Sequence, residues 1–116
     1  MANDFKNAHK QGVTTITDIY EAPTVLSGGA DKTSILLELD VANVTTGIVS
    51  VTVTVTDADD ATTPGIQTHL VKTAPLPTGG TLQVVSGQKL ILEAGDKVQV
   101  TTTGACDVVA SVLEDV

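Results

Sequence analysis

Carboxylates are the most abundant reactive groups in this sequence: fourteen Asp and Glu stand against six Lys and no Arg, for a net charge of −8. Their densest cluster is Asp57-Ala-Asp-Asp60, where Asp57, Asp59 and Asp60 could offer several oxygens from one loop to a hard cation such as calcium. The spacing departs from the helix-flanked calcium loop. Begun at Asp57, that loop requires Gly at position 62 and Glu at position 68, and both are Thr. The competing reading is a solvated turn in which Asp side chains bend the backbone. No metal ligand and no cofactor is assigned from the sequence.

Nucleophilic chemistry finds little support. Cys106 is the single cysteine, which excludes an intrachain disulfide and a multi-thiolate metal site. A reactive thiolate needs a base, and the histidines are His9 and His69, both remote in sequence. Cys106 therefore reads as a small strand residue. Ser27-Gly28 and Ser86-Gly87 look like turns rather than nucleophile elbows. Gly28-Gly29 and Gly79-Gly80 lack the Lys-Ser/Thr ending and following helix of a phosphate loop. Paired-carboxylate hydrolysis of sugars calls for a cleft with aromatic platforms, and Phe5 and Tyr20 are the only aromatics. No catalytic residue is assigned, and the chain is not expected to be an enzyme. Nucleic acid is a poor partner for want of basic clusters and stacking rings. No apolar run approaches membrane-span length, and the first ten residues do not resemble a secretory signal. The expectation is a soluble protein made in a cytoplasm, where the Asn43-Val44-Thr45 glycosylation triplet is accidental.

The elements that would hold these residues are strands. In Val49-Ser-Val-Thr-Val-Thr-Val-Thr56, Val49, Val51, Val53 and Val55 share one face, and the Ser and Thr residues share the other. β-Branched residues suit a pleated surface. Related runs at 13–20, 33–43, 48–57, 66–72, 81–85, 88–93, 97–103 and 107–114 predict about eight short strands, separated by Gly and Pro turns every eight to twelve residues. This predicts an all-β fold: one antiparallel β-sandwich or jelly-roll-like domain over 13–116. Lys89 to Val100 reads as a hairpin turning at Glu93-Ala-Gly-Asp96, with Leu90, Leu92, Val98 and Val100 inward. Residues 1–12 read as an extended N-terminal arm with Phe5 as its large apolar anchor.

Two runs are apolar on both faces. Leu36 points opposite Ile35 and Leu37, and Val108-Val109 with Val112-Leu113 repeats the pattern. Such strands need two covers, and a neighbouring subunit is the expected second one. The alternative is apolar residues tucked under a loop at the sandwich edge.

Three segments carry a resemblance: the opening Met1-Ala-Asn-Asp-Phe-Lys-Asn7, the central His69-Leu-Val-Lys-Thr-Ala-Pro-Leu-Pro-Thr-Gly79, and Lys89 to Val100 with Ser111-Val-Leu-Glu114. Together they resemble small β-sandwich virion structural proteins of tailed bacteriophages of cyanobacteria and marine bacteria. The resemblance implies a non-enzymatic protein present in many copies on the virion. It would decorate and cement the head by docking on the major capsid protein, or form part of the neck or tail. A homo-oligomer is implied, a trimer where it occupies three-fold positions of a shell. A glycan-binding sandwich module is the alternative, with loops 57–60 and 75–80 as its binding region.

Overall fold

The computed structural model describes residues 4–24, 32–57 and 66–115. Their eight strands are β1 (Asp4–Val13), β2 (Thr17–Glu21), β3 (Thr33–Asn43), β4 (Val49–Thr56), β5 (Gln67–Leu76), β6 (Thr81–Leu92), β7 (Lys97–Thr102) and β8 (Cys106–Asp115). They form two four-stranded antiparallel sheets. Sheet A has the order β1-β8-β3-β6, and sheet B the order β2-β7-β4-β5.

The pairing has a simple origin. β1 pairs with β8, β2 with β7, β3 with β6 and β4 with β5. The chain is thus one long hairpin whose turn lies between Thr56 and Gln67, rolled so that β3 also meets β8 and β4 also meets β7. That is the jelly roll, a double-sheet solution to the edge-strand problem.

The core follows from alternation. Leu36, Leu39 and Val41 of β3, Val108, Ala110 and Val112 of β8, and Val85 and Leu92 of β6 point between the sheets. They meet Ile19, Val51, Val53, Leu76, Val98 and Val100 from sheet B, all nearly or fully buried. The β4 valines face inward as their period predicts, except that Val55 at the end is only partly buried.

Three sequence expectations are corrected. Lys89 to Val100 is not a hairpin: the turn is present, with Asp96 N–H donating to Glu93 O at 2.9 Å, but β6 joins sheet A and β7 joins sheet B. Leu92, Val98 and Val100 are buried inward and Leu90 packs partly buried against them, because alternation reports which side chain faces the core; it does not report which strand pairs with which. The N-terminal segment is not an arm either. Residues 4–13 are β1, the edge strand of sheet A, in register with β8 from Asp4↔Glu114 to Lys10↔Val108. Its charges are those of a protected sheet edge. The expected turn at Gly87 is also absorbed into the single strand β6, whose irregularity shows as Lys89 at φ 59°.

Candidate functional site

The outer faces of the two sheets differ in kind. Sheet B presents a polar ladder: Gln99 Nε2 donates to Asp18 Oδ1 at 2.6 Å, and Thr56 Oγ1 donates to Gln99 Oε1 at 2.7 Å. Sheet A presents hydrocarbon. Its register sets Phe5 against Leu113, Leu113 against Ile35, and Ile35 against Ile91. The flanking Leu36, Leu92 and Val112 are buried inward, so the row points outward and crosses all four strands. Phe5 is 75% exposed and Ile91 56%. Leu37, beside a bulge in β3, lines a shallow depression with Phe5. The doubly apolar reading of Ile35–Leu37 and Leu113 therefore corresponds to a real outer surface, widened by β1 and β6.

Further along the same face, β3 carries Glu38 and Asp40. A depression of about 520 Å³ is lined there by His9, Asp40, Ala42, Asp107 and Val109 among others. Asp40 Oδ1 is buried without a hydrogen-bond partner. Burial, together with the hydrogen bond and charge of Glu38, raises the Asp40 carboxyl to about 6. A folded-state value above the unfolded one means the folded protein binds more protons between about pH 4 and pH 6, so stability falls as pH rises through that window. Asp40→Asn is expected to stabilise the domain by about 1–2 kcal/mol at pH 7.5, with the gain vanishing by about pH 3.5, below the unfolded value. Thermal melts of both proteins at the two pH values measure this.

A second polar cluster lies at the opposite end of β8. Glu114 is 2% exposed, and its Oε2 accepts from the Tyr20 hydroxyl at 2.5 Å. Tyr20 Oη also lies 2.8 Å from Ser34 Oγ. Lys6 Nζ stands 3.1 Å and Lys32 Nζ 3.7 Å from Glu114 Oε1. Burial alone pushes the Glu114 carboxyl up, but the hydrogen bond from Tyr20 and the ammonium charges of Lys6 and Lys32 outweigh it, leaving the carboxyl below its usual range. Burial and the adjacent carboxylate push the Tyr20 hydroxyl far up, so it stays a donor. The cluster joins β2 of sheet B to β1, β3 and β8 of sheet A and acts as a polar tie between sheets. Sequence reasoning missed it, although Glu114 occupies the inward phase of β8.

At the other end of the sandwich, Asn43 organises the loops. Its Nδ2 donates to Gly47 O at 2.8 Å and Leu76 O at 2.9 Å. Its Oδ1 accepts from Thr45 N–H at 2.9 Å and Thr45 Oγ1 at 2.7 Å. Asn43 of the glycosylation triplet is thus a buried loop hub, its amide nitrogen already engaged. Beside it the backbone of Gly104 approaches so closely that a Cβ there would stand 2.8 Å from Val49 Cγ1.

The remaining sequence candidates do not converge. Asp57 follows β4, with its N–H donating to Ile66 O at 2.9 Å, while Asp59 and Asp60 lie outside the described residues. Cys106 is fully buried, and burial first, then the Asp107 charge, raises its thiol against the lowering hydrogen bond with Thr102. His9 and His69 lie on edge strands of different sheets. Among the described residues, no group of three or more His, Cys, Asp and Glu is placed to hold a metal.

No protein family matches the sequence, and no curated protein matches it. Among solved structures, a chain of the IBDV viral particle, an icosahedral virus, is similar in fold, with a TM-score of 0.51 and 13% identity over 97% of this chain. This chain spans 35% of that one, about a third of its length. A protein of Bacillus endospore appendages, described as disulfide-linked pili, gives a TM-score of 0.44 and 15% identity over 97% of this chain and 85% of that one. The likeness to the viral-particle chain is one of fold alone.

Proposed function

We propose that this chain is a non-enzymatic structural protein of a tailed-phage virion, a head-decoration protein that docks onto the shell and stabilises it. The observation that carries the reading is the uncharged apolar row Phe5–Leu113–Ile35–Ile91 on the outside of sheet A, which crosses all four of its strands. Contiguous exposed hydrocarbon rimmed by polar residues marks a protein–protein contact. The resemblance to small phage virion proteins supplies the particle, and the fold likeness to a viral-particle chain is consistent with it. Synthesis in the host cytoplasm suits a chain with one buried cysteine and no disulfide.

Cryo-microscopy of the purified particle tests this. Density for the jelly roll on the outer shell is expected. Its appearance only around the portal or tail axis assigns the chain to the neck or tail instead, and its absence from the particle overturns the virion reading.

A further inference from the structure

We propose that the β1 edge of sheet A pairs with the same edge of a second copy of this chain, β1 against β1, antiparallel and centred on Asn7, so that two four-stranded sheets become one continuous sheet. Shell docking uses the face of sheet A; this pairing uses its edge and does not rest on that reading.

An edge strand presents a row of unpaired main-chain groups, which folds ordinarily blunt by shortness, bulges or charge. Three of the four edges here are blunted by shape. β2 has five residues and a register shift between Asp18 and Tyr20. β5 is shifted twice against β4, holds Thr73 at φ 53° and carries Pro75. β6 is shifted twice against β3 and holds Lys89 at φ 59°. β1 differs: it stays in register with β8 without a break from Asp4 to Lys10, and that stretch is exposed except for the partly buried Ala8. Its protection is charge, and charge selects a partner as well as repelling the wrong ones.

A two-fold axis can centre antiparallel self-pairing on any residue of the strand, and the side chains distinguish the centres. Centred on Lys6, that lysine meets its own counterpart; centred on Ala8, Lys6 meets Lys10 twice. Phe5 or His9 as the centre sets only three residues of the unbroken stretch opposite one another. A parallel in-register pair stacks Asp4, Lys6 and Lys10 each on its like. Centred on Asn7, the whole stretch is used: Asp4 meets Lys10 at both ends, Phe5 meets His9, Lys6 meets Ala8, and Asn7 meets Asn7. Opposite charges facing across antiparallel strands are favourable and like charges unfavourable. Asp4 and Lys10 are exposed, and neither has an ion pair among the described residues.

Affinity in such edge pairing comes from the main chain rather than from buried hydrocarbon. The facing pairs from Asp4 to Lys10 supply about six to eight inter-strand hydrogen bonds, against about ten in a typical interface. The two-fold axis stands perpendicular to the sheet, so the apolar rows of both copies open on the same side.

Sedimentation equilibrium on the full chain from about 5 to 500 µM tests the pairing. A monomer–dimer equilibrium is expected. Asp4→Lys opposes two lysines at each end and should weaken the dimer about tenfold, although it lowers the net negative charge and would strengthen an association resisted only by overall repulsion. Lys10→Asp should weaken it as much, and Asp4→Lys/Lys10→Asp should return near the native constant, because opposite charges face each other again. Ile91→Ser, on the face rather than the edge, should leave the constant unchanged. All three positions are exposed, so the fold is retained, and circular dichroism verifies it. Alternate amides of β1 should gain hydrogen-exchange protection as concentration rises. A monomer at every concentration, a trimer, Asp4→Lys as tight as the native protein or tighter, a double variant no better than the singles, loss of the dimer in Ile91→Ser, or β1 exchange independent of concentration overturns the proposal. None of these outcomes depends on whether the chain resides in a virion, which the particle density decides separately.

Discussion

Glu114→Ala is expected to lower the stability of the domain by about 3 kcal/mol, measured by urea unfolding with an unchanged dependence on denaturant. Glu114 is 2% exposed; its carboxylate accepts the Tyr20 hydroxyl and is the counter-charge of Lys6 and Lys32. Its removal leaves the Tyr20 hydroxyl with Ser34 alone and two ammonium groups without their counter-charge. Lys6 is half exposed at its side chain and can turn to water, which holds the loss near the lower end for a broken buried ion pair. Glu114→Gln keeps an acceptor for Tyr20 and loses only the charge, so about half the effect is expected. A cycle of Tyr20→Phe with Glu114→Gln isolates the link between sheets, with a coupling of about 1 kcal/mol.

The same carboxylate fixes one side of the pH profile. Its folded-state value lies below the unfolded one, so its contribution is present above the unfolded value and is lost as pH falls through the folded one. Asp40 acts with the opposite sign, since its value is raised to about 6, and its ionisation removes stability as pH rises from about 4 to about 6. The two groups therefore act in opposite directions, Glu114 adding stability as pH rises out of the acid range and Asp40 removing it as pH rises toward about 6.

Much of the architecture was legible because a strand's side-chain period is short. β3 occupies the expected 33–43, and the doubly apolar Ile35–Leu37 did mark a strand with a second surface to cover. What alternation could not carry was pairing. Each half of the rolled hairpin finds its partner in the other half, so Lys89 to Val100, read locally, divides between two sheets. β1 was hidden for a different reason: as an edge strand it buries little, and Lys6, Ala8 and Lys10 on its inward side look no different from an arm. The Glu114 tie had a visible half. Cys106, Val108, Ala110 and Val112 set an inward phase that ends on Glu114, an acid in a core position. Its partner Tyr20 stands 94 residues away and is joined only by the fold.

The Asn43 hub shows how a motif with a chemical name can be a packing device, and Asn43→Ala is expected to cost about 3 kcal/mol. The side chain is 2% exposed and makes four hydrogen bonds at 2.7–2.9 Å, to Gly47 O, Leu76 O, Thr45 N and Thr45 Oγ1. An Ala leaves the Leu76 carbonyl and the Thr45 amide without these partners in a site where water has little access, and each orphaned buried group costs about 1–3 kcal/mol. Main-chain bonds from Asn43 N–H to Gly80 O and from Gly79 N–H to Asn43 O are retained, so the loop loosens rather than unfolds. Asn43→Asp separates size from hydrogen bonding. It is nearly isosteric and keeps the acceptor for Thr45, but it turns an anion toward two carbonyl oxygens, and it should be at least as damaging as Ala. Thr45→Ser should be almost neutral and Thr45→Val should cost about 1 kcal/mol, since only the hydroxyl takes part. Hydrogen exchange supplies the local readout: the Thr45 amide should exchange faster in Asn43→Ala while the amides of β8 slow or quicken only with global stability. Equal protection of Thr45 in the native and Asn43→Ala proteins would show that the loop is held by its backbone bonds alone.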